Sequence, residues 1–189
     1  LLIMAQCFAV LFAVPAGIFA AYRAGKATDK IITTLTFAFL AAPSFIIAII
    51  LAFIFAVTLN WFPATGYVPL SDSLYGNLRS FLLPALALAL IEWPILSRVL
   101  RNDLIETLQE DFILLAKAKG LSYGYILMRH ALRPSSFTLI TIVGIQLGNL
   151  ISGAVIVESI FALPGLGTLL VASIHAREVL MVQGVIVIM

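Results

Sequence analysis

The stretch "SFTLITIVGIQLGNLISGAVIV", residues 136–157, contains no charged residue. A helix rises about 1.5 Å per residue, so a stretch of this length spans the ~30 Å hydrocarbon core of a bilayer. Three other segments are long and apolar enough to do the same, and they cover residues 1–22, 31–60 and 81–100. A fifth apolar segment begins near Val179. The sequence therefore predicts an all-α, polytopic membrane helical bundle with about five spans.

The composition of the chain agrees with this prediction. Hydrophobic residues make up 62% of the 189 residues and charged residues 11%, whereas a soluble domain is about half apolar and one quarter charged. The net charge of +2 is too small, and the cations are too scattered, to indicate a nucleic-acid-binding protein. The single cysteine, Cys7, has no second thiol or clustered histidines near it in the sequence, so neither a disulfide nor a metal site is predicted.

Both ends of the chain lie in apolar segments. Residue 1 opens inside one such segment, and the last stretch, "LMVQGVIVIM", has ten residues. That length is about half of what a membrane span requires. We therefore expect a fragment that is truncated at both termini, with residues 1–189 forming a single transmembrane domain.

The positive charges are distributed unequally across the predicted membrane. If the spans alternate in direction, nine of the eleven Lys and Arg residues lie on one side: Arg23, Lys26, Lys30, Arg98, Arg101, Lys117, Lys119, Arg129 and Arg133. Only Arg79 and Arg177 lie on the other side. Because loops rich in Lys and Arg remain in the cytoplasm, the sequence predicts that segment 103–134, between the third and fourth spans, is cytoplasmic.

Segment 103–134 is predicted to form two helices joined by a turn. Between residues 103 and 119, apolar residues recur three or four positions apart, which indicates an amphipathic helix. Gly120 follows a lysine-rich last turn and suits a left-handed C-terminal cap. Ser122 suits the N-cap of a second helix, which should end near Arg133 because Pro134 disfavours helical geometry in the residue before it. The stretch "DLIE", residues 103–106, has the spacing of a capping box, unless the preceding span continues through it.

The second helix needs a surface to lie on, because about twelve residues are marginal as an isolated helix in water. Its side chains combine apolar and basic groups: Tyr123, Tyr125, Met128, Leu132, Arg129, His130 and Arg133. Anionic lipid headgroups also attract Arg and Lys. Composition alone therefore leaves both a lipid surface and a protein partner open.

Within this segment, "LLAKAKGLSYGYILMRHALRPS" (residues 114–135) resembles the EAA loop of permease subunits in binding-protein-dependent ABC importers. The resemblance is to the peptide/nickel branch, which contains the dipeptide and oligopeptide permeases, at Ala116, Ala118, Gly120, Leu121 and residues 129–133. Other stretches resemble family segments in the expected order: "VPAGIFAAYRAGKATDK", "APSF", "FPATGY", "LLPALALAL" and "VESIFALPGLGTLLVASI". The resemblance thus extends over essentially the whole chain.

The chain departs from the family pattern at two points. The general loop consensus begins Glu-Ala-Ala, whereas the corresponding residues here are Leu114, Leu115 and Ala116. Pro134 stands where this branch often has asparagine. The first departure removes a salt bridge that a glutamate could make to a partner.

The resemblance implies the fold of a type I ABC importer permease, with six spans in a full chain, in a bacterial or archaeal cytoplasmic membrane. It implies that segment 103–134 couples the chain to an ATPase through these residues: Ala116, Ala118, Gly120, Leu121, Ser122, Tyr125, Met128, Arg129, His130 and Arg133. The implied partners are two ATPase subunits, a second homologous permease and an external substrate-binding protein that delivers peptides or related small solutes.

The chain itself is expected to bind no cofactor and to be no enzyme. ATP and magnesium would be bound by the partner ATPase, since the only Gly-Lys pair here, Gly25 and Lys26, is followed by Ala27 and lacks the phosphate-binding motif. His130 and His175 have no accompanying nucleophile and acid in a catalytic arrangement.

Polar residues inside the predicted spans are further candidates for function. Gln146, Asn149 and Ser152 recur every three residues and could line a passage or form hydrogen bonds between helices. Glu92 lies deep in the third span, where an acid is costly and a functional role is the default hypothesis. It could be structural, a substrate ligand, or the proton site of an ion-coupled secondary transporter, which is the alternative function. That alternative leaves the basic segment unexplained.

A turn is predicted near the end of the fourth span. Glu158 comes just before Pro164, Gly165 and Gly167, and this composition favours a turn that leads into a short returning helix. We expect that helix to support a gate.

Overall fold

The computed structural model describes all 189 residues and contains helices but no strand. The helices are α1 (Leu2–Tyr22), α2 (Ala27–Ala41), α3 (Ser44–Leu51), α4 (Leu74–Thr107), α5 (Asp111–Ala118), α6 (Tyr123–Tyr125), α7 (Leu132–Ile160), α8 (Leu166–Ala176) and α9 (Val179–Ile188). Two π-helical segments continue these helices, since Ala52–Thr58 follows α3 and Ile126–Ala131 joins α6 to α7. The predicted all-α class is confirmed.

Three helices are long and apolar enough to cross a membrane. They are α1 with 21 residues, α4 with 34, and the continuous helix Tyr123–Ile160 with 38. The third and fourth predicted spans lie inside α4 and Tyr123–Ile160, and the first coincides with α1 except for residue 1. The apolar segment predicted from Val179 is the ten-residue helix α9.

The second predicted span, residues 31–60, is not one straight helix. α2 and the helix Ser44–Thr58 meet at an angle of 100°. Pro43 precedes the second helix with an extended backbone (φ −60°, ψ 141°). Proline offers no N–H to a helix and disfavours helical geometry in the residue before it, so α2 ends at Ala41. If this bent pair counts as one broken span, four segments of the chain are long and apolar enough to cross a membrane.

Contacts divide the chain into two compact units. One comprises Leu1–Phe8, Ala42–Ile91 and Leu147–Met189, and the other comprises Ala9–Ala41 and Glu92–Gln146. The core of the first unit includes side chains that are at most 2% exposed, namely Leu83, Leu88, Leu150, Val157 and Phe161. Fully buried side chains in the second unit are Leu96, Leu100, Leu104, Ile113 and Ile126. Each unit therefore has an apolar core of its own.

The turn between α7 and α8 is fixed by Glu158. Its Oε2 accepts a hydrogen bond from the N–H of Gly167 at 2.8 Å, a favourable place for a carboxylate because it lies at the start of α8. A Cβ at Gly165 would lie 2.3 Å from that carboxylate, and a Cβ at Gly167 would lie 2.4 Å from the Cα of Val155. The backbone therefore excludes a side chain at Gly167, and a side chain at Gly165 would displace the carboxylate of Glu158. The short helix predicted after this turn is α8.

Candidate functional site

The first half of segment 103–134 contains a break that the sequence pattern did not predict. α4 ends at Thr107 and three residues separate it from α5, so the predicted continuous helix over residues 103–119 is wrong. Glu110 has an extended backbone (φ −68°, ψ 150°), and Asp111 lies in the first turn of α5. Negative charge is favourable at a helix N-terminus, which stabilises a new helix start here. Asp103 lies inside α4, so the span continues through "DLIE" and this stretch is not a capping box.

The turn at Gly120 closes the end of α5 as predicted. Gly120 has φ +78°, a left-handed conformation that glycine adopts because it has no Cβ. Its N–H donates to the carbonyl of Lys117 at 2.9 Å, and the N–H of Leu121 donates to the carbonyl of Ala116 at 3.3 Å. These two bonds form a Schellman motif, which satisfies carbonyls that a helix end leaves free. The backbone therefore accounts for the spacing between Ala116, Gly120 and Leu121.

The second half of the segment continues into a membrane span. A single helix, Tyr123–Ile160, contains α6, the π-helical turn and α7. The predicted helix end near Arg133 is therefore wrong. Ser122 lies at the predicted N-cap position with an extended backbone, although its hydroxyl makes no capping bond.

The turn before Pro134 explains why this proline does not end the helix. The π-helical turn Ile126–Ala131 lies just before it, and a wider turn displaces the carbonyls with which a proline ring clashes in a regular α-helix. The chain therefore passes from segment 103–134 into α7 without a hinge at the proline.

One face of the segment is buried and the other is exposed. Ile113, Ile126 and Leu127 are at most 2% exposed, and α5 packs against the π-helical turn. Of the ten residues predicted to couple the chain to an ATPase, Ala116 is buried and His130 is half-buried. The other eight are exposed: Ala118, Gly120, Leu121, Ser122, Tyr125, Met128, Arg129 and Arg133.

The exposed face combines large apolar side chains with positive charge. Leu114, Leu115, Tyr125 and Met128 are 50 to 58% exposed. We call these four residues, with the exposed Arg129 and Arg133, the apolar–basic face. Exposed large apolar side chains with a charged rim are typical of a surface that contacts a partner.

The structure pairs two of the polar residues predicted inside the spans. Nε2 of Gln146 donates to Oε2 of Glu92 at 2.6 Å, and both side chains are buried. This bond joins α7 to α4. Asn149 and Ser152 lie further along α7 and are exposed, so they differ from Gln146 in burial although the spacing predicted a shared face.

An ion pair that the sequence analysis did not identify joins the start of α2 to α4. The carboxylate of Asp29 accepts a hydrogen bond from Nε of Arg101 at 2.6 Å and another from Nη2 at 2.7 Å. Asp29 is only 4% exposed. The two residues are 72 positions apart, so periodicity gives no sign of the pair. The only signal in the sequence is one acid in the otherwise basic stretch "YRAGKATDK".

Several apolar helices of spanning length define a polytopic membrane protein. The chain belongs to the family of binding-protein-dependent transport system inner membrane components, whose profile matches residues 13–189. The resemblance to permeases of the peptide/nickel branch is thereby confirmed.

Two relatives illustrate the membership. The chain is 43% identical over 168 residues to a protein of Brucella abortus (strain 2308) named provisionally as a peptide transport system permease, and the match covers 89% of this chain and 54% of the relative. It is 32% identical over 188 residues to the glutathione transport system permease protein GsiC of Escherichia coli (strain K12), with 100% of this chain and 59% of the relative covered. The chain therefore spans little more than half the length of these relatives.

Proposed function

We propose that this chain is a transmembrane permease subunit of an ATP-driven ABC importer, which moves peptides or related small solutes across the cytoplasmic membrane. The apolar–basic face is the observation that carries the proposal. It lies on a helix–Gly120–helix segment, which follows the spanning helix α4 after three residues and includes the start of the spanning helix Tyr123–Ile160. A surface placed in this way can receive movement from a soluble partner and pass it to the membrane.

The local geometry supports such a transfer of movement. The Schellman motif at Gly120 fixes the turn between α5 and α6, so the two short helices can move as one body. α6 continues into α7 through Pro134 without a break, so a displacement of α6 displaces the span as well. Rigid-body movement of helices about an interface is a common way of converting a partner's closure into a conformational change.

The proposed partners are two ATPase subunits, a second homologous permease subunit and an external substrate-binding protein. The positive-inside rule supports a cytoplasmic position for the apolar–basic face, where the proposed ATPase subunits would bind ATP and magnesium. Gly144 and Gly148 on α7 support a permease pair, because both are exposed and a Cβ at either position would meet no atom within 4 Å. Small residues four positions apart let a neighbouring membrane helix approach closely.

The proposed substrate class is short peptides. One relative is named for peptide transport and another for glutathione transport, and glutathione is itself a tripeptide. In this proposal the external binding protein selects the substrate, and the permease pair supplies the passage.

Uptake by the full-length transporter in proteoliposomes tests the proposed function. The permease pair, both ATPase subunits and the cognate binding protein are reconstituted, and uptake of a panel of labelled short peptides is measured. We expect uptake to require both the binding protein and hydrolysable ATP, with a non-hydrolysable analogue as the control. Uptake that proceeds without ATP and follows an imposed proton gradient would contradict the proposal and support the ion-coupled alternative.

A further inference from the structure

The turn between α1 and α2 is held to α4 by a carboxylate with four donors. The carboxylate of Asp29 accepts two hydrogen bonds from Arg101, one from the N–H of Gly25 at 2.8 Å and one from the hydroxyl of Thr33 at 3.4 Å. Gly25 has φ +77°, a left-handed conformation that brings its N–H towards the start of α2. The carboxylate therefore fixes the turn and Arg101 at the same time.

A second contact joins the same turn to the other side of segment 103–134. The rings of Tyr22, the last residue of α1, and Tyr123, the first residue of α6, lie 5.3 Å apart between centroids with a tilt of 52°. Aromatic pairs at this distance attract each other beyond the burial of their area. Arg101 precedes segment 103–134 on α4, and Tyr123 lies inside it. Residues around the α1–α2 turn therefore contact α4 just before the segment and α6 inside it.

We propose that Asp29 is a positioning residue, through which the α1–α2 turn takes part in coupling segment 103–134 to the membrane helices. Through Asp29 and Arg101, a movement of the segment carries the cytoplasmic ends of α1 and α2 along with α4. This inference rests on the proposed function for the source of the movement. The proposed function involves α4 and α7, which adjoin the segment. This inference adds α1 and α2 to the helices that move with it.

The bonding pattern requires an aspartate at this position. A carboxylate presents acceptors only, which matches four donors, and its two oxygens match the planar fork of an arginine. Asparagine would direct its NH₂ group at one of these donors. Lysine in place of Arg101 keeps the charge but cannot form two parallel bonds. In both substitutions the new side chain is close in size to the original one. They therefore weaken the hydrogen bonds without leaving a large cavity.

The full transporter in proteoliposomes, with its ATPase and binding protein, provides the test. Asp29→Asn and Arg101→Lys are compared with Asp72→Asn, which changes an exposed acid in another loop. The readouts are recovery of the ATPase with the permease and the number of ATP molecules hydrolysed per peptide imported. We expect both variants to retain the ATPase while ATP use per peptide rises about tenfold, the scale of a typical coupling between sites. Asp72→Asn should match the wild type.

The outcomes separate this inference from the proposed function. If the wild-type permease recovers no ATPase, the proposed function fails. If the wild type couples hydrolysis to uptake and Asp29→Asn couples them equally well, the positioning role of Asp29 is overturned. If Asp29→Asn does not reach the membrane, Arg101→Lys decides, because wild-type coupling in that variant contradicts the role of the paired geometry.

Discussion

Replacing Met128 with aspartate is expected to lower recovery of the ATPase with the permease by at least ~30-fold, since changing a central interface residue costs about 2 kcal/mol or more. Met128 is 56% exposed, so the substitution should leave the fold intact. In a docked complex, however, the new carboxylate would be buried against the partner without a matching donor. Co-purification of the two subunits at fixed detergent and salt concentration measures the effect.

Tyr75→Asp is the matched control for this experiment. Tyr75 is 75% exposed and also lies on a helix. It is predicted to lie on the opposite side of the membrane from segment 103–134, where few Lys and Arg residues occur. Its substitution should leave recovery of the ATPase unchanged. Equal recovery with Met128→Asp and with the wild type would show that the apolar–basic face does not contact the ATPase.

Replacing Gln146 with leucine is expected to lower the free energy of unfolding by about 1–3 kcal/mol, because the buried carboxyl group of Glu92 loses a hydrogen-bond donor. The double variant Glu92→Leu with Gln146→Leu should recover most of this loss, because neither polar group remains buried. Thermal unfolding of the purified protein in detergent measures both changes. Thr141→Leu, an exposed change on the same helix, serves as the control.

The same variants distinguish a structural Glu92 from a proton site. If the bond between Gln146 and Glu92 joins α7 to α4 and does nothing more, the double variant retains ATP-driven uptake. A proton site tolerates no loss of the acid, so abolished uptake in a stably folded double variant would favour the ion-coupled alternative. Membership of the binding-protein-dependent family gives that alternative no support.

The sequence predicted the features that depend on local chemistry. Long apolar stretches identified three spans, because a helix in hydrocarbon must be apolar over a fixed length. Gly120 was predicted as a helix cap, because a left-handed residue after a helix is most often glycine. Neither prediction needs knowledge of which helices touch.

Proline illustrates where local rules were insufficient. Pro43 breaks its span by 100°, whereas Pro134 lies inside a continuous helix. The difference arises from the preceding backbone, since a π-helical turn accommodates Pro134. The break before α5 was missed for a similar reason: the apolar spacing continues across it, and only Glu110 and Asp111 mark the new start.

The contacts between residues far apart in the chain could not be predicted from the sequence. Asp29 and Arg101 are 72 positions apart, and Glu92 and Gln146 are 54 positions apart. A helical pattern shows which residues share a face of one helix, but it does not show which face of another helix lies opposite. The partners of these buried polar groups therefore emerged only from the fold.

Cross-linking from residue 128 tests most directly the claim that segment 103–134 docks on an ATPase. A Met128→Cys variant in a Cys7→Ser background has a single thiol within residues 1–189, because Cys7 is the one cysteine in this sequence. A photoactivatable reagent is attached to that thiol in the full transporter, and the products are identified by mass spectrometry with and without ATP. We predict adducts with the ATPase subunit in both states, and adducts confined to lipid in both states would contradict the claim.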